Sequence, residues 1–101
     1  MRETDLYPPV KAFLQSRGYD VKAEIGPADV VAVKGDAPPL IVELKTGFSL
    51  TLLHQAIARQ SLSDDVYIAV PRGTGRASLK ALKRMRPLCR RLGLGLLTVA
   101  A

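Results

Sequence analysis

Two runs of branched apolar residues, joined by a short turn, constrain the fold of this chain more than any other feature. Residues 28–34 (ADVVAVK) and 40–46 (LIVELKT) flank residues 35–38 (GDAP), which is the pattern of two strands and a tight turn. Apolar residues occupy both alternating faces of each run. We therefore expect this strand pair to lie in the middle of a sheet that is covered on both sides.

The turn also determines which residues face each other across the pair. Facing residues have a constant sum of residue numbers, and a turn centred near Asp36 and Ala37 sets that sum at about 72–74. If the sum is even, Asp29 shares a face with Glu43 and Lys45, because side chains alternate along a strand. Two carboxylates and an ammonium group would then meet at one end of the pair.

Turn and cap residues divide the rest of the chain into further short elements. In chain order we predict a helix over 5–17, strands over 20–25, 28–34 and 40–46, a helix marked by residues 50–62, a strand over 66–70 ended by Pro71, a helix over 76–92 and a strand over 94–99. The order αβββαβαβ is a meander followed by crossover helices that require parallel strands. The predicted fold class is α/β, with one domain over residues 1–101 and a central mixed sheet flanked by helices.

Apolar residues at helical spacing mark the helix faces that we expect to be buried. They are Leu6, Val10, Phe13 and Leu14 on the first helix, Leu50, Leu53, Ile57 and Leu62 on the second, and Leu79, Leu82, Met85, Cys89 and Leu92 on the third. The expected N-caps are Thr4 or Asp5 on the first helix and Ser49 on the second. Pro8 and Pro9 are tolerated if they lie in a first turn, whereas Pro87 must kink or interrupt its helix.

Several classes of protein are excluded by residue counts and hydropathy. Cys89 and His54 are the only cysteine and the only histidine, so an internal disulfide and a Cys/His zinc site are excluded. No apolar run approaches the ~18–20 residues of a membrane span, and the charged start leads into no apolar segment of a signal peptide. We expect no membrane partner and a reducing, cytoplasmic location.

The formal net charge of +6 is unevenly distributed along the chain. All nine acidic residues lie at or before Asp65. The basic residues beyond it are Arg72, Arg76, Lys80, Lys83, Arg84, Arg86, Arg90 and Arg91. A segment of one sign favours a polyanionic partner, and a solvated helix face that only maintains solubility is an equal alternative. Tyr7, Tyr19 and Tyr67 are too dispersed to predict a base-stacking platform.

The two carboxylates at the end of the strand pair suggest a metal site. Close carboxylates at the rim of a core repel each other and are partly desolvated. A hard divalent cation relieves both effects, since Mg²⁺ binds one or two carboxylates, waters and phosphate oxygens. Lys45 could then hold or help deprotonate a nucleophilic water. The structural alternative, an ion pair of Lys45 with Glu43 or Asp29, remains open.

The segment ADVVAVKGDAPPLIVELKTG, with a helix on each side, resembles the core of the PD-(D/E)XK nuclease superfamily, whose order is αβββαβ. More narrowly, residues 3–7 (ETDLY), Glu24 with Asp29, residues 43–45 (ELK) and residues 55–59 (QAIAR) are similar to the PD-(D/E)XK phosphodiesterase family designated domain of unknown function 2161. The resemblance spans residues 3–71 and implies a restriction-endonuclease-like fold. Ala28 stands where the motif has proline, and Arg59 stands where some exonuclease branches have tyrosine.

The resemblance also implies roles for individual residues. Asp29 and Glu43 would bind Mg²⁺ or Mn²⁺, with the Leu44 carbonyl as a further ligand, and Lys45 would be the catalytic lysine. Glu3 matches a helix-borne acid that some members add to the metal site.

Further residues near this set are weaker candidates. Gln55 matches a polar residue that helps to order the catalytic site. Glu24, on the first strand, is either an outer metal ligand or a solvent-facing acid. Gln55 and Arg59 lie one helical turn apart, so one face could present both to a phosphate, or could be an ordinary polar face.

Three functions therefore remain open from the sequence. The first is a Mg²⁺-dependent nuclease that cuts DNA, whose nucleic-acid contacts are Arg59, Arg72, Arg76, Lys80, Lys83 and Arg84. The second is a catalytically silent nucleic-acid-binding module of the same fold, and the third is a plain α/β interaction domain. Both a monomer and a homodimer remain open. Family members are expected to run longer, with a C-terminal portion that could carry a DNA-binding element.

Overall fold

A computed structural model of the chain describes residues 2–25 and 28–100. Its elements are α1 (Glu3–Ser16), β1 (Asp20–Ile25), β2 (Ala28–Val33), β3 (Leu40–Leu44), α2 (Leu50–Arg59), β4 (Asp65–Arg72), α3 (Arg76–Arg91) and β5 (Gly95–Ala100). Their order is the one predicted from the sequence.

The five strands form a single mixed sheet in the spatial order β1-β2-β3-β4-β5. The pairs β1–β2 and β2–β3 are antiparallel, and the pairs β3–β4 and β4–β5 are parallel. The predicted meander and crossovers are thus confirmed. Over residues 2–25 and 28–100 the protein is a mixed α/β fold with three helices. Within the described residues, none of these helices has the length and apolar character needed to cross a bilayer.

The register of β2 and β3 positions the candidate site. Val30 faces Val42 and Ala32 faces Leu40, so the residue numbers of each pair sum to 72. This even sum is the one that places Asp29 and Glu43 on the same face. Continued by one residue, the register sets Asp29 directly opposite Glu43.

The sheet is covered on both faces, as the sequence predicts. On one face Leu6, Val10 and Leu14 of α1 pack against alternate residues of β2 and β3, including Val30 and Val42. On the other face α2 and α3 pack against a second layer, which includes Ile41 and Val66. Glu43 alternates with Val42 and so lies on the α2 side.

The start of α1 differs from the prediction. Its N-cap is Arg2, not Thr4 or Asp5. The carboxylate of Asp5 accepts a hydrogen bond of 2.8 Å from the Arg2 backbone N–H, which satisfies an amide at the helix start. Pro8 and Pro9 consequently lie beyond the first turn. Both prolines are exposed, as are the residues four positions before them, so water can satisfy the carbonyls that lose a partner.

The buried face of α2 is also different from the predicted stripe. The helix is capped by Ser49 as expected, since Ser49 Oγ accepts a hydrogen bond of 3.0 Å from the Leu52 N–H. It ends at Arg59, and Leu52, Leu53 and Ala56 are its buried residues. Three residues predicted to be buried are exposed instead: Leu50, Ile57 and Leu62. The contact with the sheet therefore uses a neighbouring stripe of the helix.

Two prolines do not end the elements in which they lie. Pro71 is inside β4, where it faces Val99 of β5. β3 has already stopped at Leu44, opposite Ala69, so the missing N–H of Pro71 removes no ladder bond on that side. Pro87 likewise lies within α3, which continues without interruption and buries only Cys89.

Candidate functional site

Asp29 and Glu43 are held together at the end of the β2–β3 pair. The Asp29 backbone N–H donates a hydrogen bond of 3.1 Å to Glu43 Oε2. In turn the Leu44 backbone N–H donates a hydrogen bond of 2.9 Å to Asp29 Oδ2. Each carboxylate thus accepts a bond from the opposite strand, beyond the last backbone pair. These bonds fix the direction of both side chains.

Glu43 is one of the few buried polar residues among those described, with 2 % of its surface exposed. Burial raises the pKa of its carboxyl, and the nearby charge of Asp29 raises that pKa further. The Asp29 N–H, Arg59 and Lys45 lower it, but the net shift is upward. A negative charge at Glu43 is therefore incompletely compensated by the protein, which is the situation that a bound cation would relieve.

Arg59 is predicted from the sequence to contact a phosphate or nucleic acid, but its pairing with Glu43 is not. It is the last residue of α2, and its Nε lies 3.3 Å from Glu43 Oε1. Its side chain is only 16 % exposed, and the buried Nε–H has no well-aligned acceptor among the described groups. The structure therefore places Arg59 as an interior counter-ion of Glu43. No local pattern reveals this contact, because it depends on how α2 packs on the sheet.

Lys45 follows β3 directly and forms a different ion pair from those considered in the sequence. Its Nζ lies 3.5 Å from Glu3 Oε1 of α1, while its backbone N–H donates to the Ala69 carbonyl at 3.1 Å. The Lys45 and Glu3 side chains are 34 % and 48 % exposed. The pair is accordingly weak, and the ammonium group remains accessible to a ligand.

An open cavity of about 450 Å³ gives access to this end of the sheet. Glu3, Tyr7, Asp29 and Leu44 are among the residues that line it. The N–H of Leu44 points towards Asp29, and in an extended strand the carbonyl of the same residue points to the same side. A ligand in the cavity would thus meet carboxylate and carbonyl oxygens.

Gln55 and Glu24 are also predicted site residues. Gln55 is half-buried on α2, one turn before Arg59. Glu24 belongs to β1, but its side chain lies outside the part of the chain that the structure describes.

The carboxylates of Asp29 and Glu43 are of the kind that binds Mg²⁺, and of the two only Asp29 lines the cavity, since Glu43 is buried. Mg²⁺ is usually bound through one or two carboxylates and keeps several waters or phosphate oxygens as its other ligands. Asp29 and Glu43 meet that requirement. Among the described residues, no group of three or more His, Cys, Asp or Glu side chains is arranged to hold an ion. The described residues thus do not form a closed structural metal site, which takes four protein ligands.

Apart from Arg59, the predicted nucleic-acid contacts lie on α3 and at the end of β4. Arg72 ends β4, and Arg76, Lys80 and Lys83 lie on α3. These four residues line a groove of about 640 Å³ between α3 and β5. Arg84 is exposed on α3 but does not line the groove. We call the surface that is lined by Arg72, Arg76, Lys80 and Lys83 the α3 groove.

Comparison of the chain with protein-family models, curated proteins and solved structures finds no match. The chemistry of the site must be argued from the chain's own features. These are the hydrogen-bonded pair Asp29 and Glu43, the accessible Lys45 beside them and the basic α3 groove.

Proposed function

We propose that the protein is a metal-dependent phosphodiesterase with a restriction-endonuclease-like fold, and that it hydrolyses DNA. One observation carries the proposal: Asp29 and Glu43 are locked together by backbone hydrogen bonds at the end of two central strands, with Lys45 two residues beyond Glu43. An acid–acid–lysine set can supply the metal ligands and the cation for metal-assisted hydrolysis of a phosphodiester.

Asp29, Glu43 and the Leu44 carbonyl would hold the metal ion, Mg²⁺ or Mn²⁺. When bound, such an ion polarises a phosphoryl oxygen and makes a bound water more acidic. Arg59 keeps the Glu43 carboxylate in place through the contact to Oε1, while Oε2 accepts the Asp29 N–H. The protein thus pre-orients its oxygens before the ion arrives.

Lys45 would act on the water and on the developing charge. Its ammonium group can hold a nucleophilic water and stabilise the extra negative charge of the pentacovalent phosphate. Lys45 Nζ is paired with Glu3, which lines the cavity. Because both side chains are half exposed, Lys45 can exchange this partner for a phosphate oxygen at little cost.

The α3 groove supports a nucleic-acid substrate. Its cations line one groove between α3 and β5. Phosphate contacts of this kind supply sequence-independent affinity through release of counterions. We therefore infer that the groove holds the backbone of the substrate while the Asp29–Glu43 end of the sheet meets the scissile phosphate.

A second candidate function is a nucleic-acid-binding module of the same fold that does not turn over. This function is favoured because two charged residues of the site already have partners within the protein. Glu43 is paired with Arg59, and Lys45 is paired with Glu3. In that case the α3 groove would bind nucleic acid and the carboxylates would be a structural charge cluster.

A plasmid-nicking assay distinguishes the two functions. Supercoiled DNA is incubated with Mg²⁺ and with the wild type, Asp29→Asn, Lys45→Ala or the control Lys22→Ala. Lys22 forms an exposed ion pair with Asp20 on β1 and so matches Lys45 in charge and setting. We expect nicking by the wild type and the control, and a loss of about 100-fold or more in the two site variants. Equal nicking by all four proteins contradicts the proposed hydrolysis, and retention of DNA without nicking by any of them supports the binding module.

A further inference from the structure

A second cleft lies on the α1 face of the sheet, at the end of β3 away from the carboxylates. Its volume is about 320 Å³. Aromatic and basic side chains meet there above an apolar floor. They are Phe13, Arg17, Tyr19, Lys34 and Tyr67, with Leu40 in the floor. We call this the aromatic cleft.

The aromatic cleft is distinct from the Asp29–Glu43 site. Leu40 is the first residue of β3, and Glu43 lies three residues further along the strand, a rise of about 10 Å. The two residues also belong to opposite faces, since Leu40 packs in the α1 layer whereas Glu43 contacts Arg59 of α2. A ligand in the cleft would therefore leave the carboxylates free.

Three of the chain's five aromatic side chains line this cleft. Phe13 is 41 % exposed although it lies on the apolar side of α1. Tyr67 faces Gly95 of β5 across the parallel ladder, and a Cβ at Gly95 would collide with the Tyr67 ring. The absence of a side chain at Gly95 thus makes the space that the ring occupies. Tyr19, directly before β1, and Tyr67, on β4, are distant in sequence but line the same cleft.

The two cations of the cleft are arranged over these rings. Lys34 Nζ lies 5.4 Å from the centroid of the Tyr19 ring and donates a hydrogen bond of 2.9 Å to the Arg17 carbonyl. The Arg17 guanidinium lies 5.0 Å from the centroid of the Phe13 ring. An ammonium group has three donors, so Lys34 retains two for a ligand.

The charge of the cleft is uncompensated by its own walls. None of the described residues that line it carries a carboxylate. Two cations held against aromatic rings without an acidic partner attract an anion. The rings and the apolar floor, in contrast, favour a flat and weakly polar group. A ligand that satisfies both parts must carry an aromatic plane and a negative charge in one molecule.

We propose that the aromatic cleft binds a nucleotide, with the base stacked on the aromatic rings that line it and the phosphate held by Lys34 and Arg17. Base–aromatic stacking tolerates different bases, because every base presents a π-face. The nucleotide has two sources with the same chemistry, a free mononucleotide or one unit of a single strand. The site does not depend on the proposed hydrolysis.

Calorimetric titration with adenosine 5′-monophosphate, adenosine and inorganic phosphate tests this assignment. We expect the mononucleotide to bind. Adenosine alone and phosphate alone should each bind at least about tenfold more weakly, because each makes only one of the two contacts. Equal affinity for phosphate and mononucleotide, or no binding of the mononucleotide, would overturn the proposal.

A matched pair of lysine variants locates the site. Lys34→Gln should lower the affinity for the mononucleotide about tenfold, because it removes a charge-assisted contact to phosphate. Lys11 also lies over a tyrosine ring, 5.9 Å from the Tyr7 centroid, but outside the cleft. Lys11→Gln should therefore bind as the wild type does. Equal losses in the two variants would show a general charge effect and would refute the proposed site.

Two further variants test the aromatic part. Tyr67→Leu keeps the apolar cover and removes the ring, and we expect it to weaken mononucleotide binding about tenfold. Gly95→Ala should displace the same ring and give a loss in the same direction, and if it does not fold, Tyr67→Leu alone decides. Affinity unchanged in a folded Tyr67→Leu protein contradicts the proposal. In the wild type, competition by a single-stranded oligonucleotide identifies nucleic acid as the source, and its failure to compete identifies a free nucleotide.

Discussion

The backbone N–H of Asp29 donates a hydrogen bond of 3.1 Å to the carboxylate of Glu43, directly across the β2–β3 pair. The register of the strand pair sets this contact, and the buried position of Glu43 gives it consequences for stability as well as for chemistry. The carboxylate is fixed but poorly solvated. Its protonation is therefore coupled to folding.

The first prediction concerns pH. The pKa of Glu43 is raised above its ordinary value of 4.5, mainly by burial. The folded state then binds this proton more tightly than the unfolded chain. The contribution of Glu43 to stability is thus full below pH 4.5 and is lost as the pH rises through the folded-state pKa.

Glu43→Gln lacks this titration. In metal-free buffer, the free energy of unfolding of Glu43→Gln relative to the wild type should therefore increase with pH above 4.5. Urea unfolding of both proteins over a pH series measures the difference. Asp20→Asn, at an exposed position of β1, is the control for removal of an acid. A difference that stays constant or falls with pH would contradict the assigned environment of Glu43.

The second prediction concerns the ion pair of Arg59 with Glu43. Arg59→Met removes the only cation that the structure places in contact with the buried carboxylate among the described residues. We expect a loss of about 3–5 kcal/mol in the free energy of unfolding at neutral pH, because a buried charge is left without its partner.

A double-mutant cycle checks this origin. Arg59→Met combined with Glu43→Gln should lose clearly less than the sum of the single variants, since neither charge is then buried alone. Chemical unfolding of the four proteins gives the coupling energy. Additive losses would mean that the two side chains do not interact in solution.

The third prediction separates catalysis from stability at Lys45. The ion pair with Glu3 is substantially exposed, so Lys45→Ala should change the free energy of unfolding by only about 0–1 kcal/mol. The same substitution should slow DNA cleavage about 100-fold or more if Lys45 acts on the water. Thermal unfolding and nicking rates, measured on one preparation, provide both values. A large loss of stability with unchanged cleavage would mean that Lys45 stabilises the fold and does not act in catalysis.

The fourth prediction concerns the α3 groove. If Lys80 and Lys83 contact phosphates, each change to Gln should reduce the slope of log K against log salt concentration by about 0.9. Lys22→Gln, on the opposite edge strand β1, should leave the slope unchanged. Fluorescence anisotropy with a labelled duplex over a salt series measures the slopes. Identical slopes for all variants would place nucleic acid elsewhere on the protein.

The strand pair was predictable because its information is local. The turn at residues 35–38 limits the register to a few values, and the observed one, with facing residue numbers that sum to 72, brings Asp29 to Glu43. The order of elements was equally accessible, since periodicity and turn residues mark each helix and strand. Cys89 was correctly placed in the core for the same reason.

Contacts between elements that are distant in sequence could not be predicted in this way. The partner of Lys45 is Glu3, which lies on α1 more than forty residues earlier in the chain. The partner of Glu43 is Arg59, on α2. Both depend on how a helix packs on the sheet. Which stripe of α2 is buried also depends on the packing of that helix on the sheet. Pro71 is tolerated within β4 because the neighbouring strand β3 stops before it reaches Pro71.

Titration of Mn²⁺ into the protein, followed by calorimetry, tests most directly whether Asp29 and Glu43 form a metal site. The wild type and Lys45→Ala should each bind one ion, because Lys45 is not a ligand. Asp29→Asn and Glu43→Gln should lose this binding by about tenfold or more, while circular dichroism shows that both remain folded. Undiminished binding of Mn²⁺ by folded Asp29→Asn and Glu43→Gln proteins would contradict the metal site.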